Sequence, residues 1–348
     1  MSGLRVIHID TERGWRGGQN QVYLLHRGLL AAGVDSSVLC RAGQPLAMRL
    51  AAEGLPHQVV GGVWSALWSL RRLAGHPHTI FHAHAAKAHD LARLAVSGLS
   101  CPLVVTRRVD FVLTPSRRSR WKYGPRLNAC VAVSQAVKEV LVRGGVAADG
   151  IEVIYDGVEP VTVTPNREGL PDGRVLVLCS AAFAAHKGHR YLLEAWRRIE
   201  DAHLPASLLL AGRGELEATL RRQAADLRHV HFLGWRDDLP RLWASVDLGV
   251  LSSVEEGLGS TLIEAQVAGV AVVATTAGGI PEVITHEQTG LLVPPADPTA
   301  LAAALARLIS DGASRQRLGA QAQVQAKNFS VAVMVDRYRN LYQRVSSP

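Results

Sequence analysis

The chain has 348 residues, 48% of them hydrophobic and 20% charged, which suits a globular protein of two ordinary domains and excludes a disordered one. No stretch reaches the roughly 20 uncharged apolar residues that a membrane-spanning helix needs. All of the +8 net charge lies in the first half: residues 1–165 carry 19 Lys and Arg against 11 Asp and Glu, whereas residues 166–348 carry 19 of each. Such a half faces something anionic, whether a membrane surface, a lipid diphosphate or nucleic acid, and charge alone does not choose among them. The N-terminus runs straight into a strand without a signal-peptide core. Cys40, Cys101, Cys130 and Cys179 sit in apolar runs without metal spacing and read as buried hydrophobes in a reducing cytoplasm.

Arg5–Ile9 reads as a short buried strand, followed by a polar glycine-rich loop from Asp10 to Gln19. A helix follows with Val22, Leu25, Leu29 and Leu30 on one face, ending at Gly33. Strand, glycine loop and helix form a potential anion or sugar site near Arg13 and Arg16, although the full GxGxxG spacing is missing. Ser37–Cys40 and Gln58–Val60 are the next strands, with a helix between them. Val63–Leu73 is amphipathic at helical spacing, with two tryptophans and an arginine pair. It reads either as a core-facing helix with solvated arginines or as a membrane-interface wedge.

Thr79–Lys87 is a strand ending in a histidine pair, and in an open parallel sheet the carboxyl ends of strands face the ligand crevice. His82 reads as structural and His84 as the site candidate; a zinc pair is disfavoured, since no third ligand follows at close spacing. Leu103–Thr106 leads into Arg107, Arg108, Val109 and Asp110, and then into Arg117–Tyr123, a basic stretch interleaved with Trp121 and Tyr123. That composition suits phosphate or headgroup contact, a single-stranded nucleic-acid platform, or a solvated loop; no RNP, KH or helix-turn-helix pattern accompanies it. Ala129–Ser134 is a strand with a helix cap, and Ile151–Tyr155 closes the first sheet. Residues 156–173 are rich in Pro, Gly and Thr and form the best candidate linker.

Past the linker the alternation restarts with strands at Val175–Cys179, Ser207–Leu210, Val230–Leu233, Val246–Leu251, Val270–Ala274 and Gly290–Val293. Two blocks of alternating strands and helices predict two doubly wound α/β domains. The stretch after the Val246–Leu251 strand carries the most chemistry. Gly257 and Gly259 make a tight turn, a helix starts at Ser260, and Glu256 and Glu264 stand eight residues apart. Unpaired N–H groups at the helix start and the helix dipole make an anion site, and acids on both sides suit a diphosphate flanked by hydroxyls. A nucleotide sugar has that layout. Hydrolysis of a glycoside by paired carboxylates is disfavoured, because a hydrolase needs no phosphate cradle.

The chain resembles the family 4 glycosyltransferases of the GT-B fold, of the kind acting in bacterial lipopolysaccharide and surface polysaccharide assembly. Glu256 and Glu264 form the E-x7-E motif, joined by His186-Lys187-Gly188-His189, Ala211-Gly212-Arg213-Gly214, Phe232-Leu233-Gly234-Trp235, Ala277–Glu282 and Gly290–Asp297. The resemblance implies two Rossmann-like domains facing across a cleft: residues 1–160 for the acceptor, 161–173 as linker, 174–328 for the nucleotide sugar, and 329–348 as a helix crossing back. It implies Glu256, His84 and Lys187 as catalytic residues, with Lys187 neutralising the diphosphate and His84 positioning the sugar or shuttling a proton. Donor contacts would come from Glu264 to the ribose, from Gly257, Leu258, Gly259, Ser260 and Thr261 in the cradle, from Arg213, from Leu233 and Gly234 at the base, and from Gly17 and Gly18.

Arg16, Arg107, Arg108 and Lys122 are the acceptor-side expectation. The family usually has an arginine five residues before the lysine; here that position is Ala182, so Arg213, Arg16 or His186 would supply the second cation. Transfer with retention is implied, without a cofactor, and the absence of any D-x-D agrees with a reaction needing no metal. The donor would be UDP-, GDP- or ADP-linked and the acceptor a lipid-linked or polysaccharide hydroxyl. Nucleic acid is not the expected partner. The protein would work in the cytoplasm on the inner face of its membrane. The competing readings are a GT-B nucleotide-sugar epimerase and a nucleic-acid-binding protein using Arg117–Tyr123.

Overall fold

The computed structural model describes residues 4–109, 111–114, 116–160 and 163–346. Asp110, the Arg118 side chain, and Val161 and Thr162 of the expected linker lie outside that description. The chain divides into two compact units, Met1–Gly157 with Val331–Pro348, and Val158–Ser330.

In the first unit the elements run β1 Arg5–Asp10, α1 Gly17–Ala31, β2 Asp35–Arg41, α2 Pro45–Ala52, β3 His57–Val60, α3 Val63–Ala74, β4 Thr79–Ala83, α4 Ala86–Ala95, β5 Leu103–Arg107, α5 Arg117–Lys122, β6 Ala129–Ala132, α6 Gln135–Arg143 and β7 Ile151–Val153. The second unit has β8 Val175–Ser180, α7 His189–Asp201, β9 Ala206–Ala211, α8 Glu217–Gln223, β10 Val230–Gly234, α9 Leu239–Ser245, β11 Leu248–Leu251, α10 Ser260–Val267, β12 Val272–Thr275, α11 Ile280–Val283, β13 Leu291–Val293, α12 Pro298–Ser310 and α13 Gly312–Ala326. The chain then returns to the first unit as α14 Val331–Ser346.

Both sheets are parallel, ordered β3-β2-β1-β4-β5-β6-β7 and β10-β9-β8-β11-β12-β13. Their strands are short apolar runs because helices cover both faces. Tyr23, Leu25 and Leu29 of α1 pack with Met334, Tyr338 and Tyr342 of α14 in one core cluster of the first unit, while Leu70, Phe81 and Leu91 belong to another. Trp196, Leu192 and Leu305 lie at the core of the second unit. Each such side chain contributes about 1.5–3 kcal/mol when fully buried. In each sheet the strand order reverses once, between β1 and β4 and between β8 and β11, and such a switch point opens a crevice at the carboxyl ends of the strands.

Several boundaries differ from the expected ones for local reasons. β11 starts at Leu248, two residues late; just before it the Asp247 carboxylate accepts from Leu176 N at 2.8 Å and Arg167 Nη2 at 2.6 Å. β12 starts at Val272, since Gly269 turns with φ +73° just before it. Ser134 caps α6 as expected, accepting from Val137 N at 3.1 Å. The helix expected over Val63–Leu73 forms, but it buries Ala66, Ser69 and Leu70 and leaves Trp64 and Trp68 exposed. The helix thus faces the core with its arginines solvated, and both indoles lie on its open side.

Candidate functional site

In the second unit the turns after β8 and β11 are joined across the switch point. Val254 N donates to His186 O at 2.8 Å, and Ser252 Oγ donates to Lys187 O at 3.1 Å. Gly188 permits this approach, with φ +66° and a missing Cβ that would sit 2.0 Å from Ser252 O. From the next two elements, Thr275 Oγ1 donates to Ser253 O at 2.6 Å and Gly279 N to Glu256 O at 3.0 Å. Gly259, at φ +85°, turns the chain into α10, whose first N–H groups have no helical acceptor. The hydroxyl of Thr261 in that first turn is buried without a partner. A cradle of N–H groups plus an orphaned donor fits a phosphate.

Lys187 Nζ forms an ion pair with Glu256 Oε2, and Ser253 Oγ donates to the same oxygen at 3.0 Å. Their side chains are only 19% and 11% exposed, so the pair is weakly screened. Glu264 lies two helical turns along α10, where Trp243 Nε1 donates to Oε2 at 3.3 Å. Burial raises its carboxyl to about 7, against the smaller opposing effect of that indole bond. Ala182 is exposed, and the next residue's N–H donates to Arg213 O at 2.9 Å. Arg213 therefore leaves the backbone beside the position that lacks an arginine, its guanidinium 5.8 Å from the Trp235 ring centre. His186 is half-buried in the turn bound to Val254. Leu233 and Gly234 end β10, where Gly212 N donates to Gly234 O at 2.8 Å.

In the first unit the carboxyl ends of β1, β4 and β5 converge on Arg108. Its Nε donates to Asp156 Oδ1 at 3.1 Å and its Nη1 to His84 Nδ1 at 3.2 Å. Gly18 opens α1 beside it, a Cβ there lying 4.0 Å from Arg108 Cδ, while Gly17 is exposed. A guanidinium only donates, so neutral His84 carries its proton on Nε2 and gives it to His8 Nδ1 at 2.9 Å. Burial drives the pKa values of His8, His82 and His84 well below the usual histidine range, and their neighbours add to this. His82 is structural, bonded to Tyr342 Oη at 2.6 Å and Thr106 Oγ1 at 2.7 Å. Asp10 accepts from Gln19 Nε2 and Glu12 N, both at 3.0 Å, and its carboxyl is raised by burial despite those bonds.

A third imidazole therefore does join the histidine pair, from the neighbouring strand rather than from nearby sequence: His8, His82 and His84 present ring nitrogens within 4.8 Å of one another. Both nitrogens of His82 are taken by hydroxyls, and the Arg108 cation bonds His84. That donor set fits a hydrogen-bonded network better than a divalent ion.

The four cations expected at the acceptor divide. Arg16 is exposed at the start of α1. Arg108 is nearly buried in an ion pair with Asp156. Arg107 is engaged by Val109 O at 3.0 Å and Phe111 O at 2.5 Å, and Lys122 by Asp90 at 2.9 Å and Ala86 O at 3.0 Å. These two brace the basic loop, because backbone carbonyls and the Asp90 carboxylate accept their hydrogen bonds. His84, with both ring nitrogens bonded, is not free to move a proton in this arrangement. His8, Asp10, Asp156, Ser253 and Trp243 were not singled out as site residues; Ser253 shares the turn of Glu256, Trp243 lies on α9, and the other three come from β1 and the segment after β7, so only spatial neighbourhood reveals them.

A model described as "Glycosyltransferase Family 4" matches residues 15–162, and one described as "Glycosyl transferases group 1" matches residues 174–311. The chain belongs to family 4 of the glycosyltransferases. It is 30% identical over 254 residues to a GDP-mannose-dependent monoacylated alpha-(1-6)-phosphatidylinositol monomannoside mannosyltransferase of Corynebacterium glutamicum, covering 67% of this chain and 66% of that protein. It is 31% identical over 185 residues to the lipopolysaccharide core biosynthesis glycosyltransferase LpsE of Rhizobium meliloti, covering 52% and 53%. The chain thus spans between about half and two thirds of the length of these curated relatives. Among solved structures, Anabaena HepE in complex with UDP and glucose superposes with a TM-score of 0.87 at 20% identity, over 98% of this chain and 99% of that one. The fold is that of the GT-B glycosyltransferases, with two Rossmann-like domains.

For this family 4 glycosyltransferase the Glu264 environment sets a pH dependence. If Glu264 holds the ribose as the resemblance implies, a carboxylate accepts two hydroxyls better than the neutral acid does, and nucleotide binding should release a proton from a group near 7. Affinity should rise about tenfold between pH 6 and pH 8 and level off above, and Glu264→Gln should flatten the profile. In the ligand-free protein the sign is opposite. A carboxyl raised from its ordinary 4.5 to about 7 makes the fold less stable as pH rises through that interval, since the folded state holds the proton more tightly than the unfolded one. Calorimetric titration across pH checks the first statement and thermal melting the second.

Proposed function

We propose that the chain is a retaining, metal-independent glycosyltransferase that moves a sugar from a nucleotide-diphosphate donor to a hydroxyl of a membrane-linked glycan, a lipopolysaccharide core or another surface polysaccharide. The observation that carries the reading is the β11–α10 cradle, in which an orphaned Thr261 hydroxyl and the first helical N–H groups adjoin the Lys187–Glu256 pair. The UDP bound to HepE, and the lipid-linked and lipopolysaccharide substrates in the names of the relatives, support the donor and acceptor classes.

In this reading the donor diphosphate lies on the N–H groups of Leu258, Gly259 and Ser260 and draws Lys187 to itself, which frees Glu256 for hydroxyls of the sugar. Glu264 holds the ribose, and backbone groups near Leu233 and Gly234 meet the base. Arg213, beside Ala182, supplies the second cation to the leaving group. The bond from the anomeric carbon to the diphosphate oxygen breaks, and the electron pair leaves with the nucleoside diphosphate. The acceptor oxygen bonds the same face of that carbon and passes its proton to the leaving phosphate oxygen. In the first unit Arg16 and the basic loop braced by Arg107 and Lys122 face the acceptor, and Gly17 and Gly18 let the backbone approach the donor. The Arg108–His84–His8 chain keeps His84 neutral and in one orientation.

Incubation with UDP-, GDP- and ADP-sugars and a membrane extract should release nucleoside diphosphate only when acceptor is present. The product should keep the donor's anomeric configuration, and excess EDTA should not change the rate. Conversion of the donor sugar without acceptor would replace this reading with an epimerase.

A further inference from the structure

Residues 54–138 contain 12 Lys and Arg and two acids, Asp90 and Asp110, and none of 54–89 is acidic. Asp90 is already bonded to Lys122. α3 lies within this acid-poor stretch and packs on α4 through Ala66 and Leu70, which share a core cluster with Leu91 and Ala92. Its opposite face carries Trp64, Trp68, Arg71 and Arg72 at i, i+4, i+7 and i+8, one stripe of the helix. Trp64 is 84% exposed, Trp68 65% and Val63 57%. Two open indoles and a valine make an apolar patch on the order of 300 Å², in the range of the largest patch on an ordinary monomer, which is often functional. The Arg72 guanidinium stands 5.8 Å from the Trp68 ring centre, so cation and aromatic form one unit.

We propose that α3 is the membrane-docking wedge of the protein, Trp64 and Trp68 entering an anionic bilayer at headgroup depth while Arg71 and Arg72 meet lipid phosphates. Indoles favour the membrane interface, and a basic face without acids is attracted to an anionic surface and repelled by none of its own charges. Nucleic acid would gain from the arginines but gives an exposed Val63 beside the rings nothing to enter. The proposal deepens the membrane-linked acceptor reading and takes its purpose from it. Docking is measured without donor or acceptor, so either can fail alone.

The test is co-sedimentation with phosphatidylcholine vesicles containing about one third phosphatidylglycerol. Trp64→Ser/Trp68→Ser and Arg71→Gln/Arg72→Gln are compared with wild type, and circular dichroism checks the fold. Wild type should pellet with the anionic vesicles, with a blue-shifted indole emission. The tryptophan pair variant should partition about tenfold less or worse, at low and physiological salt alike. The arginine pair variant should lose binding mainly at low salt, where unscreened charge counts most. Wild type left in the supernatant, or a tryptophan pair variant that pellets like wild type, would overturn the proposal. Displacement from vesicles by a single-stranded oligonucleotide would overturn it in favour of a nucleic-acid face.

Discussion

Lys187→Ala is expected to lower kcat by about 10²–10³-fold, the scale seen when a preorganised group facing developing charge is removed. Lys187 stands in the turn after β8, and its only partly exposed ammonium is bound to Glu256 at the switch point. In the proposed reaction negative charge grows on the diphosphate as the glycosidic bond breaks, so the ammonium would act more strongly in the transition state than in the bound donor. The loss should therefore fall on kcat more than on KM. Lys187→Arg should recover part of it, because the charge survives while the point-like geometry does not. Glu256 keeps Ser253 Oγ as a partner in the variant, so the fold should hold. A kcat within about threefold of wild type would remove Lys187 from the leaving-group role.

Asp156→Ala is expected to destabilise the first unit by about 3–5 kcal/mol, the cost of leaving a buried charge unpaired. Arg108 and Asp156 are 11% and 9% exposed, and Arg108 Nη2 already lacks a partner. Burial pushes the Asp156 carboxyl up and the adjacent guanidinium pulls it back, while Arg108 stays charged throughout. Without the carboxylate the cation keeps, among the described residues, only His84 as a hydrogen-bonded side chain, and the neutral imidazole chain loses its anchor. Replacing both partners, Arg108→Met with Asp156→Leu, should restore most of the stability, since two apolar groups need no compensation. Urea unfolding followed by circular dichroism measures both, and a single variant within about 1 kcal/mol of wild type would contradict the account.

Most of the architecture was legible in the sequence, because a parallel sheet covered on both faces writes itself as short apolar runs between helical patterns. Ser260 as a helix start was readable for a similar reason: a glycine turn between a buried strand and a helix has little other structural use. The linked turns were not readable. The bond from Val254 N to His186 O depends on β8 and β11 being neighbours, and strand order is not written in any one segment. His8 looked like part of a strand because its partner His84 is 76 residues away, brought beside it by the pairing of β1 with β4. The fate of the basic residues was equally hidden. Arg107 and Lys122 look as available as Arg16 in sequence, and only the carbonyls that fold around them separate bracing cations from accessible ones. α3 stayed ambiguous for a different reason: it is apolar on two faces, and periodicity does not tell which of them the protein keeps for its core.

The central claim is that the cradle after β11 holds a nucleotide sugar, and calorimetric titration of UDP-, GDP- and ADP-sugars into wild type and Glu264→Gln at pH 8 tests it most directly. One base should bind wild type, and its affinity should drop by about tenfold or more in the variant when one charged hydrogen-bond acceptor is lost. No binding of any of the three by wild type, or equal affinity in wild type and Glu264→Gln, would contradict it.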